Sequence, residues 1–192
     1  MERRALLQWL VATGGLAAMH RLSAQDLDAL GAEGHARSAI GGAPPAALTA
    51  QESRTIAAVA ECIIPRTETP GATDARVADF VGVMLRDWYP ASDAVRLRGG
   101  LAALDATSRA RFGAAFAEVS VAQQVQLAQQ FDDEVTALRR SADGRADGHW
   151  FAMLKYLTVW GYCTSEVAMR DVFHNIERPM RYDGAAPVRG DA

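Results

Sequence analysis

His149-Trp150-Phe151-Ala152-Met153-Leu154-Lys155-Tyr156-Leu157-Thr158-Val159-Trp160-Gly161-Tyr162-Cys163 is the stretch on which the fold turns. It contains no proline and a single charged residue, Lys155, and the pattern continues through Val167. A helix from about His149 to Phe173 is therefore expected. Trp150, Phe151, Met153, Leu154, Tyr156, Leu157, Val159, Trp160, Tyr162 and Val167 are too many for one face. A helix that is apolar nearly all round needs cover on more than one side, so burial on two sides is expected, one of them against a partner chain. Glu166 is expected inside this apolar helix as a lone carboxylate.

Upstream, Ser120-Val121-Ala122-Gln123 has the form of a capping box and opens a helix that carries Val121, Val125, Ala128, Phe131, Val135 and Leu138 on its inner face. Asp132, Asp133 and Glu134 belong to its solvated face. Residues 139–148, rich in Gly and Asp, read as a loop between this helix and the last one. Before it, Ser92 is placed to cap a stretch carrying Val95, Leu101 and Leu104, which Gly99-Gly100 is expected to kink or divide.

Val77, Phe80, Val81, Met84, Leu85 and Trp88 form one stripe of a further helix, capped by Thr73 or Asp74 and closed by Tyr89-Pro90. The first helix of the domain follows the capping box Thr49-Ala50-Gln51-Glu52. Its apolar positions are Ile56, Val59, Ala60 and Ile63, and Pro65 stops it. No alternating strand pattern occurs, so the expected class is all-α, with about five main helices in residues 48–192 and an extended, irregular tail from about 175. One domain of this length can bury a real core.

The N-terminus reads differently. Arg3-Arg4 precede an uncharged, Gly- and Ala-rich stretch in the layout of an exported protein's signal, and the adjacent arginines resemble a twin-arginine signal. Residues 1–24 are taken as this segment, with a cut near Leu22-Ser23-Ala24. The rival is an amphipathic helix packed on the core. The uncharged run falls short of the roughly 20 apolar residues a membrane span needs. Residues 25–47, with Gly41-Gly42 and Pro44-Pro45, are taken as a linker.

Chemistry is sparse. A formal charge of -3 gives no basic field for a phosphate backbone, so nucleic acid is set aside. No Gly-rich dinucleotide turn and no CxxCH occurs, so no cofactor is expected in this chain. The four histidines, His20, His35, His149 and His174, are scattered. The first two lie ahead of the domain, and the other two stand near opposite ends of one expected helix, tens of ångströms apart at roughly 1.5 Å per residue. No metal or catalytic set emerges from them. Cys62 and Cys163 lack metal spacing. In an oxidising compartment they would be buried, joined to each other if their Cα atoms lie within about 7 Å, or bonded to another chain.

Several stretches carry a family resemblance: Leu48 to Glu52 leading to Ala60-Glu61-Cys62-Ile63-Ile64-Pro65 and Thr67-Glu68-Thr69-Pro70-Gly71-Ala72; Val77-Ala78-Asp79-Phe80; Leu157-Thr158-Val159-Trp160-Gly161-Tyr162-Cys163-Thr164-Ser165-Glu166; and Arg181-Tyr182-Asp183-Gly184. Over about residues 48–188 the chain resembles the small subunit, subunit 3 or gamma, of gluconate 2-dehydrogenase and its relatives. The resemblance implies a subunit without an active site. Its implied partner is a large FAD-bearing (GMC-type) subunit that oxidises a sugar, glucoside or polyol. A cytochrome c subunit with haem is a further implied member. Export through the twin-arginine translocase, with Arg3 and Arg4 as signal, and a periplasmic place at the membrane through the complex are implied as well.

Tyr156, Trp160, Tyr162 and Cys163 are candidates for the partner-facing stripe, because rigid aromatics dominate interface energetics; the alternative is that the rings are core. Arg181 and Tyr182 are candidates in the tail, where Asp183-Gly184 favours a turn. Two other classes stay open, a freestanding periplasmic helical binding module and a small enzyme. The first would hold a ligand in a closed pocket and the second would act when purified alone.

Overall fold

The computed structural model describes residues 23–39, 48–140, 146 and 148–173. Among these, every regular element is helical: α1 (Ala24–Ala39), α2 (Ala50–Ile63), α3 (Val77–Asp87), α4 (Ala91–Phe112), a 3-10 turn (Phe116–Glu118), α5 (Val121–Arg140), α6 (Trp150–Cys163) and α7 (Glu166–Asp171). The all-α expectation holds. Arg3 and Arg4, expected from the sequence to belong to an export signal, residues 40–47, and the tail with His174, Arg181 and Tyr182 lie outside the described residues.

The helix starts show why the caps were legible. Thr49 accepts from the Glu52 amide at 3.1 Å while the Glu52 carboxylate accepts from the Thr49 amide at 2.6 Å, the reciprocal pair that satisfies amides with no helical partner. Ser120 and Gln123 do the same at the start of α5. Ile64 caps α2 and Pro65 follows it, as expected. Two other starts differ from expectation. Val77 opens α3 behind Arg76, which adopts left-handed backbone at φ 52, and neither Thr73 nor Asp74 caps it. Pro90, not Ser92, precedes α4, because proline's fixed φ suits a residue just outside a first turn.

Gly99-Gly100 does not divide α4, which runs unbroken from Ala91 to Phe112. Gly100 is instead a contact position, since any Cβ there would run into the Trp150 indole. The inner face of α4 is Leu97, Leu101 and Leu104, with Val95 exposed. Asp105 is buried on the same helix and binds outward groups: it accepts from the Phe116 amide at 3.0 Å and from the Gln51 side chain at 3.3 Å, tying the 3-10 turn and α2 to α4.

In α5 the core stripe is Leu127, Ala128, Phe131 and Val135, whereas Val121 (72% exposed), Val125 (46%) and Leu138 face outward. The expected stripe was therefore set one residue too far round at its start, with Leu127 omitted. Asp132 is only partly solvated and pairs with Lys155 of α6 at 2.6 Å.

The long terminal helix of the sequence reading is two helices. Thr164 caps α6, and Ser165 begins α7 by accepting from the Ala168 amide at 3.1 Å. A serine hydroxyl competes with the backbone and so ends one helix and starts the next. Glu166 therefore sits exposed in the first turn of a short helix, with Arg170 opposite at 3.5 Å, not embedded in apolar surroundings.

Helix α6 lies at the centre and touches every other α-helix. Most of its apolar girth is covered by its own chain, while Val159 is 45% exposed and Tyr156 and Cys163 are half-buried. Phe151, Met153, Leu154 and Leu157 are each at most 2% exposed, and burial of each contributes about 1.5–3 kcal/mol. Of the cover expected on two sides, α1 to α5 and α7 supply most from within the chain.

Residues 25–39, expected as the first part of the linker, are helical. They belong to α1, which packs on α3 and α6. The helix begins where a cut was suggested: Ser23 accepts from the Asp26 amide at 3.2 Å, and its hydroxyl donates to the Asp26 carboxylate at 2.6 Å. Apolar periodicity is weak in α1 because two of its inward positions are Gly31 and Gly34, which bury backbone and no side chain.

Candidate functional site

The segment between α2 and α3 is a loop whose polar groups are almost all spoken for. Glu61, in the last turn of α2, reaches over the loop and accepts from the Arg66 amide at 2.7 Å, the Thr73 amide at 2.9 Å and the Thr73 hydroxyl at 2.7 Å. Burial by itself would raise its carboxyl pKa. The Thr73 and Arg66 hydrogen bonds and the Arg66 charge outweigh that and hold it below the ordinary carboxylate range.

Asp74 works from the other side, accepting from the Gly71 amide at 2.9 Å and from the Arg66 guanidinium at 2.8 Å. The Ala72 amide returns to the Ile64 carbonyl at 2.9 Å and so closes the loop onto the end of α2. Position 71 admits only glycine, because a Cβ would stand 2.5 Å from both the Arg66 amide nitrogen and a Glu61 oxygen. From α6, the Tyr162 hydroxyl donates to the Pro70 carbonyl at 2.6 Å.

The result is a pre-organised loop. Its tip, residues 65–69, is exposed, and its flank forms a shallow recess of about 410 Å³ with Val167 and Asp171 of α7. A rigid tip of this kind loses little conformational entropy when another surface covers it. Ordering also explains the sequence: Glu61, Gly71, Thr73, Asp74 and Tyr162 each fill a geometric demand of one loop.

A second concavity of about 200 Å³ lies between α2, α5 and α6. It is lined by Cys62, Ile63, Val125, Phe151 and the Asp132–Lys155 pair, among others. Burial, helped by the Glu61 charge, pushes the Cys62 thiol up to about 11, so it is protonated at neutral pH and is a poor nucleophile. Burial also raises the Cys163 thiol. Both thiols are free and half-buried, and no disulfide joins them. Among the described residues no group of three or more His, Cys, Asp and Glu side chains is placed to hold a metal ion. No described helix is long and apolar enough to cross a membrane.

The aromatic candidates divide. Trp160 and Tyr162 are each 6% exposed, and their polar atoms bond within the chain, Trp160 to the Leu27 carbonyl at 3.1 Å and Tyr162 to Pro70. Of the two readings open from sequence, their burial matches core. Tyr156 is half-buried, its ring tilted against Trp160 at 6.0 Å.

The quoted motif stretches that fall among the described residues converge in this structure. Residues 60–65 and 67–72 build the loop, 77–80 carry Phe80 into the core, and 157–166 supply Tyr162 and the cap of α7. The chain matches the family model for gluconate 2-dehydrogenase subunit 3 over residues 50–182. It belongs to this family. No curated protein and no solved structure matches the chain. The family match starts at the head of α2 and takes in the loop and both concavities, while α1 precedes it.

Two features of this member of the subunit 3 family were not read from sequence. Glu61 was quoted as part of a motif but given no role; its signal was a carboxylate one turn before a proline-terminated helix, followed by a Thr- and Gly-rich loop. His35 was set aside with the N-terminal segment. It sits on α1, stacked on Phe80 with centroids 4.8 Å apart and Nε2 2.6 Å from the Gly161 carbonyl. The carbonyl can only accept, so Nε2 carries the proton.

Proposed function

We propose that this chain is the non-catalytic small subunit of a periplasmic FAD-dependent dehydrogenase acting on a sugar, glucoside or polyol. It stabilises the large GMC-type flavoprotein subunit and assists its export by the twin-arginine route through the signal that contains Arg3 and Arg4. A cytochrome c subunit with haem completes the electron path, and the complex lies at the membrane. The observation that carries the reading is the subunit 3 family match over residues 50–182. The local geometry supports it: the motif residues build a rigid, outward-facing loop, and the thiols and carboxylates beside it are held as structural groups.

The exposed loop tip at residues 65–69 and the neighbouring α7 are the partner-facing surface in this reading, with Tyr156 at the edge of the core. The test is purification of the tagged full chain from its native periplasm, followed by an absorption spectrum and mass identification of what accompanies it. A flavoprotein in equal amount supports the reading. A colourless chain that purifies alone, with wild-type flavoprotein levels in a strain lacking it, overturns the reading.

A further inference from the structure

Helix α1 is held on the domain in an unusual way. It covers a face built from Phe80 and Met84 of α3, Trp160 and Gly161 of α6, and Thr164. Its own large apolar residues are only Leu27, half-buried, and Leu30, buried. The remaining inner contacts are made by backbone: Gly31 lies against Thr164, and Gly34 lies so close to Phe80 that a Cβ there would stand 2.6 Å from the ring.

Two hydrogen bonds tie α1 to α6, from the Trp160 indole to the Leu27 carbonyl and from His35 to the Gly161 carbonyl. At its outer end Arg37 pairs with Asp87 at 3.0 Å and stacks over Trp88 at 4.8 Å. By contrast, ten residues of α6 are buried. Local opening free energies follow buried apolar contact, and α1 has little of it. Its connection to α2 contains Gly41-Gly42 and Pro44-Pro45, and the family match begins beyond it.

We propose that α1 is a strap that lifts from the α3–α6 face as a unit, apart from unfolding of the domain. When docked, it shields Phe80 and Trp160. When lifted, it leaves an aromatic face with one free donor, the Trp160 indole, and one free acceptor, the Gly161 carbonyl.

Arg37 is the one tryptic site within α1, which makes opening readable by limited proteolysis of the full chain. Where opening and closing are fast, cleavage follows the population of the open form. The expected result is a cut after Arg37 while Arg54 and Arg96 stay intact, with a denaturant dependence shallower than that of global unfolding. Gly34→Val should speed the Arg37 cut about tenfold or more and leave the other two sites unchanged. Native-state hydrogen exchange of the wild type gives an independent reading, with amides of α1 opening before those of α3 and α6. Exchange of α1 only together with α3 and α6 overturns the proposal. So does a Gly34→Val chain in which all three sites open together.

Discussion

The Tyr162 hydroxyl donates to the Pro70 carbonyl at 2.6 Å and so joins the end of the central helix to a loop 92 positions earlier. The bond holds the loop to the core. Tyr162→Phe keeps the ring and removes the donor, at an expected cost of about 1 kcal/mol. For a domain of this size that is a fall in Tm of about 2–4 °C. Thermal unfolding and hydrogen exchange across residues 65–75 check it, and unchanged exchange in the loop would show that the bond does not hold it.

Glu61 makes the loop acid-sensitive. Its carboxyl is held below the ordinary value of 4.5 in the folded chain, so the unfolded chain binds its proton first as pH falls. The contribution to stability is therefore present above about pH 4.5 and is lost as pH falls through the depressed folded value. Glu61→Gln should cost about 1–2 kcal/mol at neutral pH, allowing for partial solvent screening, and flatten the acid limb of the stability curve. Urea unfolding between pH 3 and pH 7 is the measurement; an unchanged acid limb would assign the acid sensitivity elsewhere.

The adjacent glycines of α4 should respond in opposite directions. A Cβ at Gly99 meets nothing within 4 Å, so Gly99→Ala gains helix propensity and stabilises by about 0.5–1 kcal/mol. Gly100→Ala drives a methyl into the Trp150 indole and should destabilise by about 1–3 kcal/mol. Chemical denaturation of the pair checks this, and equal effects would mean that α4 and α6 are less closely packed than described.

His35 gives α1 its own pH response. Burial lowers its pKa from 6.5, and the hydrogen bond to Gly161 only partly opposes this. The docked ring is harder to protonate than the released one, which gains a proton as pH falls below about 6.5. Docking is therefore at full strength above that pH and weakens below it. Exchange protection of α1, corrected for intrinsic rates, should drop from pH 7.5 to pH 5.5, and His35→Phe should remove the drop. A fall of equal size in the variant would place the titrating group elsewhere.

Much of this protein was determined by local sequence. Thr49 with Glu52 and Ser120 with Gln123 satisfy their own amides within one turn, and Pro65 ends α2 by itself, so these boundaries were legible one element at a time. The helical period placed Val77, Phe80, Val81, Met84 and Leu85 in the core, where they are. The motif stretches likewise pointed to the family before any contact was known.

Only the tertiary structure decided what non-local partners impose. Gly34 and Gly100 look like breakers in isolation, yet each lies in an unbroken helix because an aromatic ring, Phe80 or Trp150, occupies the space of its missing Cβ. The all-round apolarity of α6 requires cover, but sequence does not say whose, and the chain's own helices supply most of it while Val159 stays exposed. Glu61 shows the same limit. A carboxylate near a helix end reads as a solvated charge until the chain turns back to place two amides and a hydroxyl around it, and that turn is made by residues up to twelve positions away.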